Sequence, residues 1–352
     1  MRSTRQLTDP REESEFAALL ERHRRELQVH CYRMLGSVED SEDLVQETFL
    51  RAWRGRASFF SDGRLLLRAW LYRIATNACL DLLRGRLRRV LPPQVVAAAQ
   101  DPTVPPSPAT DLPWLQPYPD RLLESISPAE EEPGAVVVAR ETLELAFLAA
   151  IQHLPPKQRA VLILRDAIGW SAKDTAELLE TTLGSVNSAL QRARVTLRDR
   201  LGERRTEWAR SSGPSEEERA LLRRYVDAHE HADIDALGEL LRGDAPLTMP
   251  PHPTWYEGRE AILIAARQGF EPEFGRLRSL VTGANLQPAA AHYLRRPTNR
   301  NTGRSRSTCF GSRADEWPRS RRSCSPDCFR HSASRPHSDR SGAHRRGART
   351  QR

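Results

Sequence analysis

Between residues 91 and 135 the chain places eleven of its 25 prolines. Each proline fixes φ and removes a backbone donor, so neither a long helix nor a central strand survives that density. The 352-residue chain must therefore fold as units on either side of the break. The segment itself reads as a linker, semi-extended in places. Within it Trp114-Leu-Gln-Pro-Tyr-Pro119 stands apart, because two large rings seldom sit in a solvated tether. It reads either as a local tack onto one neighbour or as a docking motif.

Ahead of the break, residues 14–90 have helical periodicity throughout. Phe16, Leu19, Leu20, His23, Leu27 and Cys31 predict one helix that stops at Gly36, a C-cap. Val38 opens a second helix whose first turn is crowded with acids, where they favour the helix dipole. Its apolar side is Leu44, Val45, Thr48, Phe49, Ala52 and Trp53; its outer side carries Asp43, Gln46, Glu47, Leu50 and Arg51. A loop is expected around Phe59–Gly63. The next helix should bury Leu67, Leu71, Ile74, Ala78 and Leu82 and present Trp70, Arg73, Asn77, Arg84 and Arg88 on a neighbouring stripe. From Arg64 to Val90 seven arginines face one acid, Asp81. Such a stripe suits nucleic acid, with guanidiniums for phosphates, a ring for stacking and an amide for a base edge. It equally describes an amphipathic helix with a solvated basic face.

Beyond the break, residues 136–205 form a second helical block. Val138–His153 is a helix stopped by Pro155-Pro156, and Gln158–Ile168 is the next. Ser171-Ala-Lys-Asp174 has the spacing of a capping box. A short helix with Ala172, Ala176 and Leu179 inside follows, then a turn, then a longer helix burying Val186, Leu190, Ala193, Leu197 and Leu201. Two helices, a tight turn and small Ala176 at their crossing predict a helix-turn-helix. The second helix exposes Ser185, Asn187, Ser188, Gln191 and Arg192, then further arginines. A major-groove reader needs that order, with short polar groups for base edges first and cations for phosphates later. A structural hairpin with a charged face is the competing reading.

Residues 206–214 are a short linker, and 215–296 predict an α+β unit. Its helices are Glu218–His231, Ile234–Leu241 and Arg259–Gln268; its strands are Ala245–Pro250, Leu277–Ala284 and Ala289–Leu294. From Pro297 to Arg352 there is no Leu, Ile, Val or Met, but there are fourteen arginines and ten serines. No core can form from that, and 297–352 is expected to be disordered. A coding frame lost near Arg296 accounts for this better than an evolved basic tail, because the change falls in mid-sheet. The net charge of +8 comes from this tail; residues 1–296 sum to −2, with basic charge clustered locally. Clustering is the better mark of a nucleic-acid footprint.

No run of eighteen apolar residues exists and the first ten residues lack an apolar signal core, so no membrane partner and a cytoplasmic location are expected. Five cysteines make no disulfide framework; Cys31 and Cys79 read as buried free thiols. Cys324, Cys328, His331 and His337 imitate zinc-ligand spacing, but without flanking structure they predict no metal site, and no cofactor is expected.

The two helical blocks, in this order, resemble bacterial RNA polymerase sigma factors of the sigma-70 family, extracytoplasmic-function type. The matching stretches are Asp40–Trp53, Arg68–Asn77, His153–Arg165 and Val186–Arg194. Trp114–Pro119 and Met249-Pro-Pro with Trp255-Tyr-Glu-Gly258 further resemble the subgroup with a C-terminal SnoaL-like domain, of which Gln287-Pro-Ala-Ala-Ala is the last matching piece. The implied fold is mainly α: region 2 over 14–90, a Pro-rich linker over 91–135, a region 4 helix-turn-helix over 136–205, a truncated α+β SnoaL-like domain over 215–296 and the tail. The resemblance implies core RNA polymerase and promoter DNA as partners. Asp43, Gln46, Glu47 and Leu50 would dock on the polymerase clamp helices. Trp70, Arg73, Asn77 and Arg84 would bind the minus-ten element, including flipped bases. Ser185, Asn187, Ser188, Gln191 and Arg192 would read the minus-thirty-five element. Asn187 and Ala189 stand where many relatives have arginine, which implies a shifted promoter preference. The linker would thread toward the RNA exit path, and Trp114–Pro119 would contact the C-terminal domain, whose role would be regulatory.

Three alternatives remain at this point, one of them a frameshifted product with an intact promoter-binding half and no regulation. A stand-alone helix-turn-helix regulator would need neither the Asp43 face nor the Trp70 stripe. An enzyme would draw on His229, His231, Asp233 or His252, none of which pairs convincingly in sequence.

Overall fold

A computed structural model of the chain describes residues 10–62, 67–123, 145–201, 215–272 and 275–295. The expectations for 124–144, for the 206–214 linker and for the arginine-rich tail with its Cys324/Cys328 spacing lie outside the described residues. Helix α1 spans Pro10–Arg22 and α2 spans Arg24–Leu35, so the single first helix is in fact two. They join at His23, whose amide still bonds Leu20 O at 3.0 Å while its ring Nδ1 lies 2.5 Å from Glu26 Oε1. Gly36 ends α2 at φ +66°, its amide donating to Tyr32 O at 2.7 Å. A side chain is excluded there twice over: a Cβ would stand 2.5 Å from the Leu115 side chain of the linker.

Helix α3 runs Val38–Asp62 without the loop expected at Phe59 and Phe60. Ser37 Oγ accepts the Asp40 amide at its start, 3.2 Å away. Helix α4 spans Leu67–Leu83 and stops before Arg84, since Gly85 takes φ +77° and turns the chain. The five-residue stripe is thus not one helical face; Arg84 and Arg88 lie past the helix. The buried side is also rotated from the one expected. Leu71, Tyr72, Ala75, Thr76, Ala78 and Cys79 are buried, while Leu67, Ile74 and Leu82 are only half-buried. Cys31 and Cys79 are buried free thiols.

In the second block, α5 is Leu145–Ile151 and α6 is Pro156–Leu162, which starts on Pro156 where no amide partner is needed. A π-turn over Ile163–Ala167 follows. Helix α7 covers Ala172–Leu178 and α8 covers Leu183–Leu201. One continuous apolar core joins this block to α1–α4, with Leu27, Met34, Leu71, Leu148, Leu162 and Leu164 among its fully buried members. Each such leucine contributes about 2 kcal/mol of burial free energy.

A second core, built on Leu222, Tyr225, Leu237, Leu240, Tyr256 and Ile262, belongs to the C-terminal unit. There α9 (Glu216–Glu230) opens on a Ser215–Glu218 capping box, followed by α10 (Ile234–Leu240) and α11 (Arg259–Gly269). Strand β1 (Pro246–Thr248) pairs antiparallel with β2 (Trp255–Glu257), a strand absent from the sequence expectation. Strands β3 (Arg276–Ala284) and β4 (Gln287–Arg295) form a hairpin in register Thr282↔Ala289. Its two turn residues, Asn285 and Leu286, both have positive φ, as a type I′ turn requires.

Residues 91–123 are not a free tether: Trp114–Gln116 and Tyr118 are buried, and the largely exposed stretch before them is tied down by hydrogen bonds. Val90 bridges Trp114 in parallel, and Trp114 and Leu115 are buried. Ala99 N donates to Trp255 O at 2.9 Å, Thr110 N to Pro251 O at 3.1 Å and Trp255 Nε1 to Val96 O at 2.9 Å. A proline-rich strand leaves carbonyls and the few remaining amides unpaired within itself, so they are satisfied by neighbouring elements.

Candidate nucleic-acid interface

The helix-turn-helix is α7, a turn at Glu180–Thr182, and α8. Ser171 caps α7 by accepting the Asp174 amide at 3.0 Å. The reciprocal half differs from a full capping box: the Asp174 carboxylate accepts from the Ser171 hydroxyl at 2.5 Å rather than from its amide. Glu180 holds φ +49° to make the turn, and Thr182 Oγ1 accepts the Ser185 amide at 3.2 Å to start α8. Val186, Leu190, Ala193 and Leu197 are buried beneath. Ser185, Asn187, Ser188, Gln191 and Arg192 are all exposed on the outer side, whereas Ala189 is buried.

On α4, Trp70, Arg73 and Asn77 are half-buried at i, i+3 and i+7 and so share a face. Trp70 packs partly against the core. Arg84 is exposed and pairs with Asp81 at 3.2 Å. Arg88 donates to His153 Nδ1 at 2.7 Å. Burial, and after it the Arg88 charge, holds the His153 imidazole below its ordinary range. On α3, Asp43, Gln46, Glu47 and Leu50 fall at i, i+3, i+4 and i+7 on one outer face, with Leu50 52 % exposed. Arg51 Nε bonds Glu47 Oε1 at 2.7 Å.

The structure joins these surfaces through contacts that the sequence did not reveal. Arg73 forms an ion pair with Glu180, in the turn of the helix-turn-helix. Tyr72 and Trp170 meet with ring centroids 5.4 Å apart. Arg159, on α6, is buried and donates to Met34 O at the end of α2, to Gln152 Oε1 at 2.7 Å and to Leu154 O at 3.2 Å. Burial lowers its guanidinium to about 10, so it stays charged at neutral pH. A second hub lies where linker, α2 and hairpin converge. Tyr32 OH donates to Gln116 O at 2.6 Å and accepts from Asn285 Nδ2 at 3.0 Å. Tyr118 N donates to Asn285 Oδ1 and Asn285 N to Tyr118 O, both at 2.9 Å. Gln116 Oε1 accepts the Val38 amide at 2.9 Å, capping α3 from the linker. Gln116 and Tyr118 of this hub lie in Trp114–Pro119, the segment read in sequence as a tack or docking motif, whereas nothing in sequence singled out Tyr32 or Asn285.

The acid–base candidates have local duties. Asp233 caps α10 through the Ala236 amide at 2.9 Å, His231 bonds Asp227 O at 2.9 Å, and His229 bonds Tyr225 O at 2.9 Å. His252 bonds Ser107 O at 2.7 Å. Among the described residues no cluster of three metal-ligating side chains occurs, and no helix is long and apolar enough to cross a membrane.

Two helical blocks thus share one core, one carrying a helix-turn-helix with a polar outer side and the other an aromatic–arginine–amide face. The sequence matches Sigma-70 region 2 over residues 19–89 and Sigma-70, region 4 over residues 144–197. It is 45% identical over 285 residues to the ECF RNA polymerase sigma factor SigG of Mycobacterium tuberculosis, spanning 80% of this chain and 74% of that one. To SigM of the same organism it is 33% identical over 187 residues, 53% of this chain and 77% of the relative. Among solved structures it is similar to the extracytoplasmic function sigma factor SigJ of Mycobacterium tuberculosis, with 21% identity and a TM-score of 0.46 over 80% of this chain and 84% of that one. The chain belongs to the extracytoplasmic-function RNA polymerase sigma factors of the sigma-70 family. Its function is promoter recognition in transcription initiation, as an initiation factor rather than a catalyst.

Proposed function

We propose that the three surfaces divide that work. The α3 face of Asp43, Gln46, Glu47 and Leu50 docks on core polymerase. Trp70, Arg73 and Asn77, with Arg84 beyond the helix end, capture the melted minus-ten element. Ser185, Asn187, Ser188, Gln191 and Arg192 read the minus-thirty-five element. The observation that carries this is the outer side of α8, where five polar or basic side chains stand exposed over a fully apolar inner side. Melting costs a few kcal/mol per unstacked step, and stacking on a ring plus base-edge contacts offset it.

A regulatory role for residues 215–296, read as part of a SnoaL-like domain, draws support from the Asn285 hub and the packed linker. With Arg73 engaged by Glu180, the free chain holds a minus-ten residue against its own helix-turn-helix. Opening must release Arg73 before both elements are read, and the Trp114–Pro119 contact with the C-terminal unit opposes that release.

Asn77→Ala combined with Trp70→Ala is expected to abolish transcription by reconstituted holoenzyme while core binding persists. Because Trp70 also packs on the core, Asn77→Ala alone serves as the fold-neutral comparison and should lower open-complex formation several-fold. Loss of core binding in the double variant would instead make this face structural or part of the polymerase interface.

A further inference from the structure

The β3–β4 hairpin packs one face on α9 and turns the other to solvent. On the packed side Ser279 N donates to Glu230 Oε1 at 2.5 Å, and the His292 ring meets those of Tyr225 and His229. Directly opposite residues of an antiparallel ladder share a face, and faces alternate along each strand. The pairs Arg276↔Arg295, Arg278↔Tyr293 and Leu280↔Ala291 therefore lie together on the outer side. Arg276, Arg278, Arg295 and Leu280 are exposed there. None of the three guanidiniums has an ion pair or a hydrogen-bonded partner among the described residues. Nor does the local sequence supply one: residues 274–314 carry eight arginines and no Asp or Glu.

Like charges directly opposite on a ladder are destabilising, and Arg276↔Arg295 is such a pair. A polyanion on this face would offset the repulsion. Arg276 and Arg278 stand about 7 Å apart along the strand, a step that suits successive phosphates of one extended nucleic-acid strand. Toward the turn the face carries only Leu280, Thr282, Ala289 and Ala291, too short to reach base edges in a groove about 8.5 Å deep. Duplex is thereby disfavoured. Tyr293, half-buried opposite Arg278, adds a ring on which only an unpaired base can stack. An acidic peptide would use the guanidiniums and leave that ring without a role. We propose that the outer face of the β3–β4 hairpin binds single-stranded RNA, without sequence preference, during initiation. The choice of RNA rests on the reading of α4 given above: the melted promoter strand is held there, so the transcript is the single strand left for the hairpin.

The test starts with the full chain and a labelled oligouridylate of about twelve nucleotides, a length one small sheet can cover. Arg276→Gln with Arg278→Gln is expected to weaken binding about tenfold and to lower the salt slope by about 1.4, as two phosphate contacts to a single strand require. Tyr293→Leu should weaken binding about tenfold and leave the salt slope unchanged. Should Tyr293→Leu melt early, the arginine pair, wholly on the surface, carries the test alone. In reconstituted holoenzyme, photoreactive uridine in the initial transcript should crosslink to β3–β4. Four results would each overturn the proposal: an unchanged affinity and slope in the arginine variant, a preference for duplex, equal displacement by polyglutamate, or transcript crosslinks confined to residues 297–352. Crosslinks from the non-template DNA strand to the hairpin and none to α4 would instead defeat the α4 reading.

Discussion

His30 is fully buried between α2 and α4, with Nε2 2.9 Å from Thr76 Oγ1 and Nδ1 left without a partner. Burial first, and the neighbouring Arg33 charge second, push its pKa down to about 3 against the weaker opposing pull of Glu26. The unfolded chain therefore takes up this proton first as pH falls. Stability is complete above the unfolded value near 6.5 and declines below it by about 1.4 kcal/mol per pH unit until the folded value is reached. Urea denaturation at pH 7 and at pH 5.5 should show a loss of about 1 kcal/mol, and His30→Gln should remove most of that difference. An unchanged pH dependence in His30→Gln would place the titrating group elsewhere. Nothing about His30 is visible in sequence, where it is one polar residue in an amphipathic run. Arg159 is similar: it lies in a stretch matching the family, but its bond to Met34 O depends on a neighbour 125 positions away.

Helical elements were the most legible part, because their cues are local. Gly36 as a C-cap, Ser171 as an N-cap and the buried Val186–Leu190–Ala193–Leu197 series all stand as the spacing predicts. Structure departs from the periodic pattern where one residue competes with it. Gly85 ends α4 before the arginines that helical spacing alone would place on its face, and His23 divides the first helix. Strand β2 is three residues long and exists through its pairing with β1, a contact that period-2 alternation cannot reveal in so short a run. Ser171 offers a clean test at this scale. Its hydroxyl satisfies one orphan amide of α7, so Ser171→Ala should cost about 1 kcal/mol of stability in thermal melts, and Ser171→Asp should restore most of it. No change in the alanine variant would mean that packing alone positions α7.

For the whole molecule, sequence separated the units but not their arrangement. Prolines marked the segment between the helical blocks as unable to form its own ladder, and solvation looked like the consequence. In the structure those residues instead spend their hydrogen bonds on α2, on the start of α3 and on the C-terminal unit, while Trp114, Leu115 and Tyr118 are buried. Long-range partners of this kind leave no periodic trace. The result is a chain whose two helical blocks are held together by Arg159, by Arg73 with Glu180 and by a shared core. Such a chain should bind free DNA poorly and act as a subunit. Run-off transcription on holoenzyme-selected templates tests this most directly, with core polymerase and the full chain supplied separately and together, alongside gel shifts of the chain alone. The account predicts a discrete transcript only when both are present, lost with Leu50→Asp on the α3 face, and no sequence-specific shift by the chain alone. A specific shift without polymerase, and no transcript with it, would contradict the account.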